Sequence, residues 1–402
     1  MIKIIYILIF FLFAGFVHAQ WVPMSNGMNP GTNVSSLAKN STYLFAGAKN
    51  YGVYRSNNFG VGWSQTTMPT VWVYSLVTSG ENLFAGTAAN GIYRSTNNGF
   101  VFTQVYSGGM EIPLAANGNN IFAGNLSPSY GLNLSTNNGD NWTQLFAYNG
   151  AIKCIAASGS NIYFGTIIEG VYRSTNNGNS FTQTSLNNQD VRSLAINGDN
   201  VFAGTNPNGV FLSTNNGSTW TQTSLNNERI NALHICDNNI FVGGNNGNIY
   251  QSSDNGATWI TRNEGGPGGP SAFYTIPSFI WAGGGQGVYG RNLSEMIGIK
   301  TTSTEIPSSC SLSQNYPNPF NPSTKIRFEI PLSRGVSGGR GVLTHIIIYD
   351  ILGREIATLV KEKLNPGTYE VDWDGSGFTS GVYFYTMRTG SYTETKKMLM
   401  IK

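Results

Sequence analysis

Four carboxylates, Glu111, Glu169, Asp190 and Glu228, stand in Asn/Gly-rich stretches between short apolar runs. Glycoside hydrolysis needs two carboxyls flanking one bond, an acid and a base or nucleophile, so these four are the candidates for such a pair. Lys49, Trp72, Tyr130, Tyr148 and Arg229 fall in equivalent stretches, and with the four acids they make up the candidate ligand face. The acids come from separate stretches, and acids on polar loops are ordinarily solvated. The expectation is therefore a binding face without catalytic residues. Metal and cofactor chemistry find little support. His234 and His345 have no Cys or His at zinc-ligand spacing, so neither a metal nor a cofactor is expected. Cys154, Cys236 and Cys310 are odd in number, which excludes a complete disulfide framework and predicts free thiols. Gly265-Gly266-Pro267-Gly268-Gly269 has prolines and no helix after it, so it reads as a loop and not a phosphate cradle. The Asn-x-Ser/Thr triplets at Asn33, Asn125 and Asn141 are expected by chance in so Asn/Thr-rich a chain.

The elements that must hold these residues follow from composition. The chain has 402 residues with 50 glycines, 11% charged and 12% aromatic. Exposed helices are built from Glu, Lys, Ala and Leu, and the shortage of charge argues against them. The aromatic content is too high for a disordered chain. Net charge is +3 without a basic cluster, which excludes a nucleic-acid footprint. An all-β protein with glycine-punctuated turns remains.

Internal periodicity gives the architecture. A stretch of the form Gly-Val-Tyr-Arg-Ser-Thr-Asn-Asn-Gly-x-x-Trp occurs six times, at Ser56, Ser95, Ser135, Ser174, Ser213 and Ser252, spaced 39 or 40 residues apart. Each unit holds four short runs rich in aromatic and β-branched residues, which reads as four strands joined by hairpins. That is the size of one propeller blade, and a lone blade buries too little to stand alone. A seventh copy starts at Ser271 and stops after its third run at Arg291; the missing fourth run is Trp21-Val22-Pro23-Met24. The reading is a seven-bladed β-propeller whose N-terminal strand closes the last blade, leaving no open edge. Strand direction then puts the loops entering the first strand and joining the second to the third on one face. The repeated Ser-Thr-Asn-Asn-Gly turn lies on the other, as do Arg55, Arg94 and Arg173, which are not expected to converge on one substrate.

One copy, Ser252-Ser253-Asp254-Asn255-Gly256-Ala257-Thr258-Trp259, carries a full Ser-x-Asp-x-Gly-x-Thr-Trp pattern. It resembles the Asp-box (BNR) repeat family of sialidases, sortilin-type receptors and non-catalytic propellers. The resemblance implies a structural role for the six box serines and for Asp254, Gly256 and Trp259. Membership among the sialidases would imply three arginines gripping a carboxylate and a Phe/Tyr-Arg-Ile-Pro motif. The motif is absent from this sequence, and only Arg192 and Arg229 lie near the expected face. A glycoside hydrolase, sialidase-like or polysaccharide-degrading, stays as the alternative.

The two ends address export. Residues 1–19 read as a signal peptide, with Lys3, an apolar run over 4–17 and Val17-His18-Ala19 as the cleavage site. Fourteen apolar residues, 4–17, fall short of the roughly 20 that span a bilayer, so no transmembrane segment is expected after cleavage. Residues 20–300 are assigned to the propeller, 301–311 to a linker and 312–402 to a second domain. The boundary is compositional: 22 charged residues in 20–300 against 19 in the 91 of 312–402. Four alternating runs in that domain read as a small Ig-like β-sandwich. Asn315-Tyr316-Pro317-Asn318-Pro319-Phe320-Asn321-Pro322, then Asp350-Ile351-Leu352-Gly353-Arg354, Gly381-Val382-Tyr383 and the closing run to Lys402 resemble the C-terminal sorting domain of type IX secretion cargo of Bacteroidetes. The resemblance implies partners in the type IX translocon and sorting machinery and a place on the cell surface or outside. Together these readings give a monomeric, exported scaffold whose remaining partner is an extracellular glycan or protein.

Overall fold

The computed structural model describes residues 20–402 apart from 129, 237–238, 263–264, 277–278, 294–299, 304–305, 332–341, 365 and 376–377. The expected signal peptide, and a Gly/Arg-containing loop expected over 333–341, lie outside the described residues. Among the described residues the chain forms nine four-stranded antiparallel sheets. Seven belong to 22–292 and two to 300–400.

The first sheet sets the pattern. Val34–Lys39, Leu44–Ala48, Gly52–Ser56 and Ser64–Gln65 pair in chain order. Equivalent sheets occupy 73–106, 114–147, 152–183, 190–222 and 230–261. We number these units 1 to 6. Unit 7 has Ala272–Ile276, Phe279–Gly284 and Gly287–Asn292, and its fourth strand is Val22–Pro23 from the other end of the chain. The pairing sets Val22 against Gly290 and Pro23 against Tyr289, and the Met24 amide donates to the Val288 carbonyl at 2.8 Å. Trp21 is fully buried, and its indole N–H donates to the Arg262 carbonyl at 2.8 Å.

The second strand of unit 1, Leu-Phe-Ala-Gly-Ala, is buried at every position because neighbouring units cover both faces. Glycine is required within it. A Cβ on Gly47 would lie 2.6 Å from Val73 Cγ1 in unit 2, and one on Gly165 would lie 2.6 Å from Val191 Cγ1. On Gly283 it would meet Val34 Cγ1 of unit 1 at 2.5 Å. Each unit therefore seats the start of the next against a strand without a side chain, and unit 7 seats unit 1. The first strands likewise pack each against the next, with Ala272–Ile276 returning to Val34–Lys39.

The repeated turn has one geometry in six copies. The Ser174 hydroxyl donates to Asn176 Oδ1 at 2.8 Å and accepts from the Gly178 amide at 3.0 Å, while Asn176 Oδ1 accepts from the Ser180 amide at 3.0 Å. Ser56, Ser95, Ser135, Ser213 and Ser252 do the same with their glycines at 2.8 or 2.9 Å. Asp254 replaces the asparagine in the last copy and makes the same bonds, plus one from the Thr258 hydroxyl at 2.6 Å. Trp259 closes that turn, its indole donating to the Gly256 carbonyl at 3.1 Å. The repeat arginines lie here and join neighbours: Arg94 donates to the Asn138 carbonyl and Asp140, each at 2.6 Å, and Arg55 covers the Phe100 ring at 3.3 Å.

The second body pairs Lys300–Ser303, Gly367–Asp374, Ser323–Ile330 and Ser311–Leu312 in one sheet. Glu355–Leu364, Val342–Tyr349, Gly381–Thr389 and Tyr392–Met400 form the other. Their shared core holds Phe328, Trp373, Tyr385, Met387 and Met400. One difference from the sequence reading concerns 301–311. Residues 300–303 are an edge strand on Gly367–Asp374, so the expected linker begins inside a sheet. Ser/Thr composition suggests a linker, yet Lys-Thr-Thr-Ser serves equally well as a short, polar edge.

Candidate ligand-binding face

The entry loops deliver the candidate residues, but the inner strands bring them together. Each of five first strands has a register shift after its first Val or Ile: Val34/Ser36, Val73/Ser75, Ile152/Cys154, Val191/Ser193 and Ile230/Ala232. The extra residue of such a bulge is unpaired and its side chain is re-aimed. Those residues are Ser35, Tyr74, Lys153, Arg192 and Asn231. The Tyr74 hydroxyl of unit 2 donates to the Lys153 carbonyl of unit 4 at 3.4 Å. This contact passes over unit 3 and joins units 2 and 4 directly.

Five ionisable groups from units 2 to 5 converge there. The Lys153 ammonium pairs with Glu111, and Arg192 pairs with Asp190 at 2.6 Å. Asp190 also accepts from Asn206 at 3.0 Å. Burial pushes the Tyr74 phenol well above its usual range, with Glu111, Cys154 and Asp190 adding to the rise and Arg192 opposing it. Glu111, Asp190 and Arg192 thus act on the Tyr74 phenol, and Lys153 joins it through its carbonyl. Cys154 lies behind them, its thiol pushed up to about 12 by burial, which keeps it protonated and unreactive.

The remaining candidates are held locally. Lys49 lies over the Trp72 ring at 4.7 Å. Glu169 accepts from the Tyr172 hydroxyl at 2.5 Å, and Tyr148 packs against the same ring at 5.7 Å between centroids. Glu228 accepts from Asn246 at 2.7 Å and from the Tyr250 hydroxyl at 3.2 Å. Arg229 is exposed, and its carbonyl accepts from the Asn245 amide at 2.8 Å. Tyr130 is 47% exposed. A repeated glutamine on the outer strand fixes several of these loops: Gln183 donates to the Glu169 carbonyl at 2.8 Å, and Gln144 to that of Tyr130 at 2.5 Å. So Glu111 and Asp190 both act on Tyr74 but through separate partners, Tyr148 joins Glu169, and Lys49 joins Trp72. Glu228, Arg229 and Tyr130 stay apart from the cluster's contacts. No contact joins any two of the four carboxylates among the described residues.

Tyr74 and Lys153 are absent from the sequence-derived face. The signal was present: in Val73-Tyr74-Ser75, Ile152-Lys153-Cys154 and Val191-Arg192-Ser193 a polar or bulky residue interrupts the alternation at one fixed place. Among the described residues no group of His, Cys, Asp and Glu could hold a metal ion.

In the second body the motif residues tie down the last strand. The Tyr385 hydroxyl accepts from the Asn315 amide and donates to the Ser313 carbonyl, both at 2.8 Å. Phe320 is buried, bridges in parallel to Met400, and exchanges backbone bonds with Leu399 and Ile401 at 3.0 Å. Asn318, between Pro317 and Pro319, accepts from the Leu399 amide at 2.9 Å. Asp350 shapes its hairpin by accepting from the Leu352 and Arg354 amides and from Arg354 Nε, with Gly353 at φ 76°. Desolvation, the largest single effect, opposes them, yet together these bonds hold the Asp350 carboxyl below the usual range. Gly381 opens the strand that pairs with the last, Tyr383 donates to the Thr379 carbonyl at 2.6 Å, and the Lys402 amide donates to Ser380 at 2.9 Å. Tyr316 points outward, 79% exposed.

Comparison with known proteins agrees with this division. Residues 314–402 match the secretion system C-terminal sorting domain. The chain is thus exported by type IX secretion to the cell surface or beyond, and its tail engages that system. No curated protein matches the sequence. Among solved structures, YCF48 from Cyanidioschyzon merolae is similar at a TM-score of 0.57 and 12% identity, over 68% of this chain and 98% of that one. YCF48 bound to D1 peptide gives 0.57 and 14%, over 69% and 98%. PorZ, a surface component of the type IX secretion system of Porphyromonas gingivalis, gives 0.52 and 13%; the match covers 94% of this chain and 60% of PorZ. These are likenesses of fold, and they make the first body propeller-like.

Proposed function

We propose that the exported chain is a non-catalytic binding or scaffolding module: a seven-bladed Asp-box β-propeller closed by its N-terminal strand, carried by an Ig-like sorting sandwich. Seven sheets with cyclic contacts support the blade count, and the six turns of one geometry, five Ser–Asn–Gly and one Ser–Asp–Gly, support kinship with the Asp-box (BNR) family. Two four-stranded sheets around one core support the sandwich. The ligand is an extracellular glycan or protein, met on the entry-loop face.

One observation carries the non-catalytic reading. Glu111, Glu169, Asp190 and Glu228 are each committed to a different neighbour, respectively Lys153, Tyr172, Arg192 and Asn246. A glycosidase needs two carboxyls facing one bond. The likeness to a propeller-like protein solved with a peptide adds weight to a protein ligand. The test is a glycan array run beside a hydrolysis screen on extracellular polysaccharides, using the chain from residue 20. Binding without turnover is expected; turnover abolished by Glu111→Gln or Asp190→Asn would overturn the reading.

A further inference from the structure

We infer that the mouth of the ring binds an acidic polypeptide segment, and that Glu111 occupies the place of that segment's carboxylate while the site is free. The inference rests on the binding reading above and narrows its ligand. The Lys153 side chain is only 10% exposed, and an ammonium so buried requires a counter-charge. Its carboxylate is not supplied by the rigid strands around it. It comes from a loop, on a side chain 37% exposed, at a residue held at φ 44°, where side chains other than Asn, Asp and Gly are uncommon. Such a carboxylate can be exchanged for one from outside, because its departure uncovers Lys153 without disturbing a strand.

The neighbouring pair adds a second polar contact. Arg192 Nε and Asp190 Oδ1 are buried without partners, one donor and one acceptor on two paired side chains. Unsatisfied buried groups of this kind need an explanation, and a peptide group offers the complementary acceptor and donor. The rim supplies the apolar contact. Met110, in the loop entering the first strand of unit 3, is 67% exposed, and Tyr130 at 47% and Ile168 at 72% stand in loops that join a second strand to a third. Met110 directly precedes Glu111, and Ile168 directly precedes Glu169. Two of the three are aliphatic. A polysaccharide favours flat aromatic platforms, whereas an apolar side chain of a polypeptide packs well on Met and Ile. A carboxylate for Lys153 beside an apolar residue for this rim describes an acidic peptide.

A random dodecapeptide display library panned on the chain from residue 20 tests the inference, with the enriched peptides then measured by fluorescence anisotropy. Enriched sequences are expected to pair Asp or Glu with a large apolar residue. Glu111→Gln should tighten their binding about tenfold, since the competing internal carboxylate keeps the competent state scarce. Lys153→Met, and separately Met110→Ser with Ile168→Ser, should weaken it by about tenfold each, the scale of one buried contact at an interface. Should Lys153→Met fail to fold, the exposed rim pair carries the test. Peptides without acids, or indifference to Glu111→Gln, would overturn the inference. So would enrichment of nothing beside binding of uronate oligosaccharides, which would leave the binding module standing with a glycan ligand. Binding of neither class would bring down the module reading itself.

Discussion

Substituting Gly283 by Ala should act on Val34, 249 positions away in the sequence. The new methyl would lie 2.5 Å from Val34 Cγ1, 3.1 Å from its Cβ and 3.6 Å from Leu37 Cγ. Carbon atoms rest at about 3.5–4.0 Å, so the last and first units must part by roughly 1 Å or Val34 must leave its rotamer. Overpacking of that kind costs about 1–3 kcal/mol. Val34 is fully buried, and Val34→Ala alone loses two methyl groups, about 1–2 kcal/mol. In the double variant the offending Cγ1 is gone and the cost of Gly283→Ala largely disappears. The pair should therefore be more stable than the sum of the singles by about 1–3 kcal/mol, a coupling expected only of residues in contact. Equilibrium urea unfolding of the chain from residue 20, followed by tryptophan fluorescence, reads this directly because Trp21 and Trp281 are both buried in unit 7. Strict additivity would mean that the two residues do not touch and that the seam is open.

Other consequences can be checked in the same way. Ser174→Ala leaves the buried Gly178 amide without its acceptor and should cost about 1–3 kcal/mol, whereas Ser174→Thr should cost less. Burial lowers the His234 pKa to about 4, so the unfolded chain binds more protons between there and its ordinary 6.5. Stability from this group is complete above about pH 6.5 and falls by about 3 kcal/mol on acidification to pH 4; His234→Gln should flatten that slope in unfolding experiments. Deleting 312–402 should leave the protein in the periplasm, read by protease accessibility on whole cells, and unchanged surface display would refute the tail's sorting role. Tyr385→Phe removes the hydroxyl that joins the Asn315 amide to the Ser313 carbonyl and should lower the tail's stability by about 1–3 kcal/mol.

The parts of this molecule that repeat were legible in the sequence. A strand of two-residue period and an Asn-Gly turn are local signals, and six copies of them reinforce one another, so the four runs per unit and the stray strand at Trp21 could be read directly. What could not be read is the meeting of units that are not neighbours in the sequence. Lys153 and Tyr74 are not among the candidates that the sequence offers. Both owe their place to a one-residue bulge that shows only when the pairing with Gly165 and Gly86 is known. Glu111 was legible as a loop acid, but its partner lies 42 residues on, in the next unit. At the boundary of the tail, composition misled in the other direction: Lys300–Ser303 has no apolar residue to mark it as a strand, because an edge strand needs none.

The measurement closest to the central claim is hydrogen exchange at the Met24 amide in the intact chain, resolved by mass spectrometry with overlapping peptides. That amide donates to the Val288 carbonyl only if the Val22–Pro23 strand completes the last sheet. The account predicts that it exchanges as slowly as the amides of Phe279–Gly284, through opening of the whole ring. Exchange within seconds, at the rate of an unstructured terminus, would contradict a closed ring.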